Sequence, residues 1–234
     1  MISERCVAAE LMDQPGLDRA LHVEALRGLE RINAISRSAS ILWPQIMELA
    51  RTIAPRQLRV LDVACGGGDI AVALSRRAVR AGLSIQLDGC DINDCAVAEA
   101  QRRAQAAHVD TTSYFRLDAV QEQLPRGYDV ITCSLFLHHL SENKAIDLMG
   151  RMAEAASHAV LISDLQRSWL GYGLAWVGCR LLTRSPIVHV DGPRSVAAAF
   201  AVAEIGSLAA RSGLDGAVIT HHWPQRWLLA WSKR

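Results

Sequence analysis

The feature that most constrains the fold of this chain is the stretch "LDVACGGGDIAVAL", residues 61–74. An apolar run is followed by three consecutive glycines, Gly66, Gly67 and Gly68, and then by Asp69, which opens an apolar helix. A strand, a glycine loop and a helix N-terminus present backbone N–H groups and the positive end of a helix dipole to a polar ligand. We therefore expect a nucleotide-type pocket here; the alternative is a tight strand-to-helix turn without a ligand.

Strand-like and helix-like segments alternate through the middle of the chain, which is typical of a parallel sheet. The seven predicted strands are residues 58–64, 84–92, 112–119, 128–137, 158–165, 216–223 and 225–233. Helices are predicted from Asp69 to Ala81 and over residues 202–211. The last two strands are separated by a loop too short for a parallel crossover, so they should form an antiparallel hairpin. The predicted fold class is α/β, with a seven-stranded, doubly wound, mostly parallel sheet.

Two further regions are predicted around this sheet. Residues 1–54 show helical apolar spacing and should form an N-terminal helical cover, which leaves residues 55–234 as the main domain. Residues 166–200 are longer than a plain connection requires and should form an apolar cap insertion after strand five. The segment 169–179 within it is too short to cross a bilayer and is either a substrate lid or a core or dimer contact. The proline and glycine residues of 186–196 predict a turn.

The composition narrows the class of partner. With 234 residues, 50% of them hydrophobic, the chain can bury one sizeable core. The 25 basic and 24 acidic residues are scattered, which argues against nucleic-acid binding. The six cysteines lack zinc-ligand spacing and are interpreted as reduced core residues, and the N-terminus lacks the apolar run of a signal peptide. We expect a cytoplasmic protein without stable membrane insertion and with a small-molecule partner.

The glycine loop also matches the dinucleotide-binding pattern G-x-G-x-x-A through Gly66, Gly68 and Ala71. An NAD(P)-dependent oxidoreductase is therefore one alternative. That pattern alone is weakly specific, and the acidic residues near the loop favour a different ligand.

Three acids carry this preference: Asp62 just before the loop, Asp91 at the end of strand two and Asp118 at the end of strand three. With them, residues 56–165 and the terminal hairpin resemble the class I (Rossmann-like) S-adenosylmethionine-dependent methyltransferases. The resemblance implies that Asp91 binds the two ribose hydroxyls and that Asp118 faces the adenine amino group. A carboxylate at a strand end can accept both hydroxyls. The alternatives are a helix cap for Asp91 and a loop acid for Asp118.

The resemblance assigns cofactor binding to the following residues: Arg37, Asp62, Ala64, Gly66, Gly67, Gly68, Asp91, Ile92, Asp118, Ala119 and Ser134. Ala64 stands where many family members have the first glycine. Arg37 is a candidate partner for the cofactor's carboxylate, beside the alternative of a solvated helix face.

A methyl transfer to a hydroxyl needs alignment and removal of a proton. His138 and His139 follow strand four and Asp164 ends strand five, so all three should lie on the rim that carries the glycine loop. Similar small-molecule O-methyltransferases carry a histidine pair and an acid here, which implies His138 as the base, as a neutral imidazole with a pKa near 6.5. His139 and Asp164 would assist it. His189 is a competing base, or else a loop brace; no metal is expected.

The resemblance therefore implies a methyltransferase acting on a hydroxyl of a small hydrophobic molecule, which is phenolic, quinonoid or a polyketide. The segment 186–196 resembles small methyltransferases associated with chalcone-synthase-like polyketide synthases. A C-methyltransferase of a quinone or polyketide and a non-catalytic binding module remain alternatives beside the oxidoreductase. A homodimer is compatible with the apolar cap.

Overall fold

The computed structural model describes residues 2, 4–14, 16–109 and 112–233. Within these ranges one sheet has the strand order β3-β2-β1-β4-β5-β7-β6. Its strands are β1 (Leu58–Val63), β2 (Ile85–Asp91), β3 (Tyr114–Arg116), β4 (Tyr128–Ser134), β5 (Ala156–Leu165), β6 (Val218–His222) and β7 (Arg226–Ser232). The first five are parallel, whereas β7 is antiparallel to both β5 and β6. The predicted fold class and the terminal hairpin are confirmed.

Helices cover both faces of the sheet. They are α1 (Arg19–Ile35), α2 (Ser38–Ile53), α3 (Asp69–Arg80), α4 (Asp94–Ala106), α5 (Glu142–Ala155), α6 (Trp169–Leu182), α7 (Pro186–Ala198) and α8 (Val202–Arg211). Two short 3₁₀ turns occur at Leu11–Asp13 and Leu137–His139. Asn93 caps α4 by accepting hydrogen bonds from two backbone N–H groups, and Ser141 caps α5 in the same way with one. No described helix is both long and apolar enough to cross a membrane.

The central strand β1 shows why the sheet is covered on both sides. Leu61 and Val63 pack into the apolar layer that contains residues of α5 and α8. Leu58 and Val60 pack into the opposite layer, which contains residues of α2, α3 and α4. Because successive side chains of a strand point to opposite faces, a nearly continuous apolar run needs a helix layer on each face.

The turn predicted for residues 186–196 is wrong, because this segment lies within α7. Pro186 stands in the first turn of the helix, where a proline's missing N–H costs nothing. Gly192 faces the sulfur of Cys179 on α6 so closely that no side chain fits between them. Pro193 leaves the carbonyl of His189 without its helical partner, and the Arg180 guanidinium donates to that carbonyl at 3.5 Å. The proline and glycine thus serve helix packing here.

Two elements close the end of the sheet where the parallel strands finish. The N-terminal segment, residues 4–14, crosses this end, and the Arg5 guanidinium donates to the backbone carbonyls of His138, Leu140 and Ala198. The backbone N–H groups that begin the 3₁₀ turn at Leu11–Asp13 donate to the carboxylate of Asp191 on α7. Helix α6 turns one side toward the same region. Its opposite side leaves large apolar residues exposed: Trp169, Leu170, Trp176, Val177 and Leu181.

Candidate active site

A cavity of about 550 Å³ lies at the carboxyl ends of the parallel strands, where open α/β sheets bind their ligands. It is lined by the N-terminal segment, α1, the glycine loop, the ends of β1, β2, β4 and β5, the start of β7, and parts of α6 and α7. Its volume suits a ligand of nucleoside size. A wider groove of about 1050 Å³ between α1 and the end of α6 contains none of the predicted site residues.

Asp91 and the glycine loop are joined directly. The backbone N–H of Gly66 donates to Oδ2 of Asp91 at 2.8 Å, and the N–H of Asn93 donates to Oδ1 at 2.9 Å. Each carboxylate oxygen therefore has one backbone donor and keeps acceptor capacity toward the cavity, which Asp91 lines. Ala64 and Gly66 both have positive φ values, 54° and 53°, so the backbone turns sharply as it leaves β1.

The three glycines have different roles. A Cβ built on Gly66 would have no heavy atom closer than 4.0 Å, and this residue borders the cavity. At Gly67, which also borders the cavity, a Cβ would lie 2.7 Å from the Arg103 guanidinium, which donates to the Gly67 carbonyl. At Gly68 a Cβ would lie 2.8 Å from the Cβ of Ala100 on α4. Gly68 is not part of the cavity lining, so its missing side chain serves the packing of α3 against α4.

Asp62 lies at the cavity floor near the end of β1. It is 2% exposed, and its Oδ1 accepts a hydrogen bond from the hydroxyl of Thr132 at 2.8 Å. Burial raises the pKa of Asp62 to about 7, and the neighbouring acids Asp69 and Asp91 act in the same direction. A positive charge in the cavity would stabilise the ionised carboxylate. Ser134, at the end of β4, also lines the cavity, and its buried hydroxyl has no hydrogen-bond partner among the described residues.

The residues after β2 and β3 form another wall of the cavity. Oδ1 of Asp118 accepts the backbone N–H groups of Val120 and Gln121 at 2.9 and 3.2 Å, which fixes the turn after β3. Ile92 and Ala119 add apolar surface beside it. A flat, partly polar group such as an adenine would be bounded here by an acid and two aliphatic side chains.

The predicted histidine and acid of strands four and five meet as a buried pair. Nδ1 of His138 lies 2.7 Å from Oδ1 of Asp164, and the backbone N–H of His138 donates to Oδ2 at 3.1 Å. Their side chains are 4% and 2% exposed. Burial opposes the charged ring, but Asp164 and Glu10 outweigh it and raise the pKa of His138 to about 9. The neutral imidazole expected from the sequence is thus replaced by an imidazolium at neutral pH.

Glu10 of the N-terminal segment is a site residue that the sequence prediction missed. Its Oε1 lies 3.6 Å from Nε2 of His138 and 3.9 Å from Nε2 of His139, and it accepts a hydrogen bond from the hydroxyl of Ser195 at 2.5 Å. The second histidine also pairs with Asp13, at 3.2 Å. Side-chain donor atoms of Glu10, His138 and His139 all lie within 4.8 Å of one another, a grouping that could hold a metal ion. The imidazolium of His138 would have to lose its proton first.

Besides Gly68, two of the predicted site residues that the structure describes, His189 and Arg37, belong to other parts of the fold. The ring of His189, on α7, pairs through Nε2 with the carbonyl of Thr183 at 2.8 Å and braces the connection between α6 and α7. Arg37 links α1 to α2 and borders a separate groove beside Arg76. Arg226, at the start of β7, does line the cavity. No motif marked it, because it stands in an ordinary strand.

The loop, the acids at the strand ends and His138 line one cavity, and a comparison with known proteins covers the region that contains them. Residues 60–158 match a family described as "Methyltransferase domain". This region is a class I S-adenosylmethionine-dependent methyltransferase domain. Over residues 60–158, this match confirms the family predicted from the glycine loop and its three acids.

The sequence of this domain is similar to those of named methyltransferases. The chain is 31% identical over 122 residues to the ubiquinone biosynthesis O-methyltransferase of Albidiferax ferrireducens, a match that covers 51% of this chain and 46% of that protein. The chain spans about half the length of the curated relatives it matches.

Two solved structures share the fold of this chain. Magnesium protoporphyrin IX methyltransferase from Synechocystis PCC 6803, crystallised with SAH, has a TM-score of 0.57 at 18% identity, covering 95% of this chain and 91% of that one. An O-methyltransferase from neocarzinostatin biosynthesis, in complex with S-adenosylmethionine and 2-hydroxy-5-methyl naphthoic acid, has a TM-score of 0.67 at 18% identity. The match covers 95% of this chain and 60% of that one.

Proposed function

We propose that this chain binds S-adenosylmethionine in the cavity and transfers its methyl group to a hydroxyl of a small hydrophobic acceptor, phenolic or quinonoid in character. The observation that carries the proposal is that one cavity joins the Asp91–glycine loop side to the buried His138–Asp164 pair. The cofactor, when bound, supplies an electrophilic methyl group on a sulfonium. The remaining chemistry is alignment, exclusion of water and proton removal, which the side chains of the cavity provide.

The residues of the glycine loop side suit this cofactor. Asp91 keeps acceptor capacity for the ribose hydroxyls, while Gly66 leaves open space beside the backbone. Asp62 is buried with a raised pKa, so a cationic sulfonium or ammonium group nearby would favour its charged form. The unpartnered hydroxyl of Ser134 offers a further contact. Asp118 and Ile92 would bound the adenine.

On the other side of the cavity, His138 is proposed as the base. Asp164 holds Nδ1, so that Nε2 is the nitrogen left for the acceptor, on the side where Glu10 now lies. In its deprotonated form the ring would take the hydroxyl proton at Nε2. A ring with a pKa of about 9 is matched to a phenolic hydroxyl, whose pKa is near 10. We propose that Glu10 gives way to the acceptor, because both address the same nitrogen.

The walls of this side favour a hydrophobic acceptor. They include apolar side chains of several elements: Leu29, Ile32, Phe136, Leu174 and Val196. The names of the similar proteins also indicate such an acceptor, since one is named for ubiquinone biosynthesis and another was crystallised with a naphthoic acid.

We also propose that the chain acts in polyketide biosynthesis, is located in the cytoplasm and forms a homodimer. Four buried cysteines without disulfides are compatible with a reducing compartment: Cys65, Cys90, Cys133 and Cys179.

The test is to incubate the chain with methyl-labelled S-adenosylmethionine and a panel of phenols, hydroquinones, dihydroxynaphthoates and alkylresorcinols. Mass spectrometric fragmentation of the products would separate O-methylation from C-methylation. We expect an O-methyl product that Asp91→Asn abolishes, whereas the matched control Asp94→Asn, an exposed acid on α4, leaves it unchanged. Calorimetric binding of NADH without binding of S-adenosylhomocysteine would overturn the proposal in favour of an oxidoreductase.

A further inference from the structure

Arg226 is a buried cation with unused hydrogen-bonding capacity. It is 3% exposed and lines the cavity. Only Nη2 has partners, the side-chain oxygens of Asn33 at 3.3 Å and Ser36 at 3.1 Å. Nε and Nη1 have no hydrogen-bond partner among the described residues. Buried polar groups normally find partners, so this guanidinium calls for an explanation.

Other buried arginines of this chain are paired with acids. The guanidinium of Arg103 lies 3.0 Å from Glu30, and that of Arg167 lies 2.7 Å from Glu204. Within the described ranges, no carboxylate lies within 4.0 Å of the Arg226 nitrogens. Burial lowers the pKa of Arg226 to about 10, so the group still carries its charge at neutral pH. The carboxylates of Asp164 and Asp69 act on this charge from beyond contact distance and raise the pKa, but burial outweighs them. A buried charge without a direct partner is costly, and an anionic ligand would relieve that cost.

The position of the guanidinium says where such an anion would lie. The side chain of Asn33 accepts from Arg226 and donates through Nδ2 to Asp69 at 3.1 Å. Asp69 is the first residue of α3, directly after the glycine loop. On its other side, Arg226 pairs in the sheet with Leu165, the neighbour of Asp164. The cation therefore lies between the glycine loop and the buried histidine pair.

We propose that Arg226 is the receptor for a ligand carboxylate inside the cavity. The guanidinium fork suits a carboxylate because it can donate two parallel hydrogen bonds. Two ligands could supply this group: the amino-acid end of the cofactor and an acidic acceptor. The inference rests on the function proposed above; if the carboxylate is the cofactor's, Arg226 takes the role that the sequence suggested for Arg37.

The first arm of the test compares two ligands that differ in the amino-acid end. S-adenosylhomocysteine carries the carboxylate, whereas 5′-methylthioadenosine keeps the nucleoside and the thioether without it. By calorimetry, Arg226→Met should weaken S-adenosylhomocysteine binding about tenfold or more and leave 5′-methylthioadenosine binding unchanged. The matched control Arg76→Met, which removes an exposed arginine on α3, should change neither affinity.

The second arm tests the acceptor as the source. The protein saturated with S-adenosylhomocysteine is titrated with salicylate and with phenol. If the carboxylate belongs to the acceptor, Arg226→Met leaves S-adenosylhomocysteine binding intact and removes the preference for salicylate over phenol. Unchanged affinities in both arms would overturn the proposal. A wild-type chain that binds neither nucleoside would instead refute the proposed cofactor, and salicylate titration of that chain would still test Arg226.

The stability of the variant separates this role from a structural one. Methionine removes an unpaired buried charge, so Arg226→Met should melt no lower than wild type without ligand and should gain less stability from S-adenosylhomocysteine. A cation needed for the fold would instead lower the ligand-free melting temperature. If the methionine variant does not fold, Arg226→Lys keeps the positive charge but cannot donate two parallel hydrogen bonds. Its affinity for the carboxylate ligand should be weaker than that of wild type but still detectable.

Discussion

Nδ1 of His138 and Oδ1 of Asp164 are 2.7 Å apart, and both side chains are almost fully buried where two adjacent parallel strands end. The pair fixes which ring nitrogen is left for an acceptor. The carboxylate of Asp164 stabilises the positive charge of the protonated His138 ring and so raises its pKa. This pKa determines at what pH the ring is free to accept a proton.

Replacement of the ring tests its role in proton removal. His138→Gln should lower kcat for a hydroxyl acceptor by about 100-fold or more, because a positioned base contributes at least that much. The dissociation constant for S-adenosylhomocysteine should stay within twofold. His139→Gln, which changes the neighbouring ring at a centroid distance of 4.3 Å, should have a smaller effect on kcat. Wild-type turnover in His138→Gln would remove His138 from the mechanism.

The pH dependence of kcat/KM should reflect the two carboxylates near the His138 ring, those of Asp164 and Glu10. In wild type, kcat/KM should rise with pH until about 9, since the ring accepts a proton only after losing its own. Glu10→Gln removes one of the anions that raise the pKa, so the rise should come at lower pH. The exposed Glu154→Gln is the matched control and should leave the profile in place. An unshifted profile in Glu10→Gln would mean that the N-terminal acid does not act on the ring.

The same pair should make stability depend on pH. The folded pKa of His138, about 9, is above the ordinary value of 6.5, so its stabilising contribution is complete below 6.5 and is lost as the pH rises through 9. His138→Gln should therefore unfold more easily at pH 6, by about 3 kcal/mol, because it leaves Asp164 buried without its partner. Urea unfolding at pH 6, 8 and 10 measures this. The gap between the two proteins should narrow as the pH approaches 10.

Binding of a cationic cofactor should depend on Asp62. Its pKa is raised to about 7 in the free protein, so part of the population is protonated at neutral pH. Calorimetric affinity for S-adenosylmethionine should increase from pH 5.5 to 8, because the ionised carboxylate favours a nearby positive charge. Asp62→Asn should bind more weakly and with little pH dependence across that range. Asp147→Asn, an exposed acid on α5, should keep the wild-type dependence.

The third glycine of the loop should behave as a packing residue. Gly68→Ala places a Cβ 2.8 Å from that of Ala100 and requires alanine to adopt a φ of 71°, so it should cost about 2 kcal/mol of stability. In an Ala100→Gly background the added cost should be smaller, since part of the clash is gone. Urea unfolding of the four proteins measures the coupling. Equal costs in both backgrounds would show that the contact with the Cβ of Ala100 does not penalise the substitution.

Local patterns predicted most of the fold. The glycine loop, the acids at strand ends and the short link before β7 are each encoded within a few residues, and the parallel sheet then brings the strand ends together. Glu10 and Arg226 could not be found in this way. Glu10 and His138 are 128 residues apart in the sequence, so no local spacing pattern indicates that their side chains lie close together. The helix at Pro186 was missed because the fit of a glycine against Cys179 is a tertiary contact.

Strand β7 follows β6 along the chain, yet in the sheet it is inserted between β5 and β6. Arg226, at the start of β7, therefore reaches the cavity through the pairing of β7 with β5. A chain cut before residue 217 would leave β5 as an exposed edge strand and would open the cavity on the side that Arg226 lines.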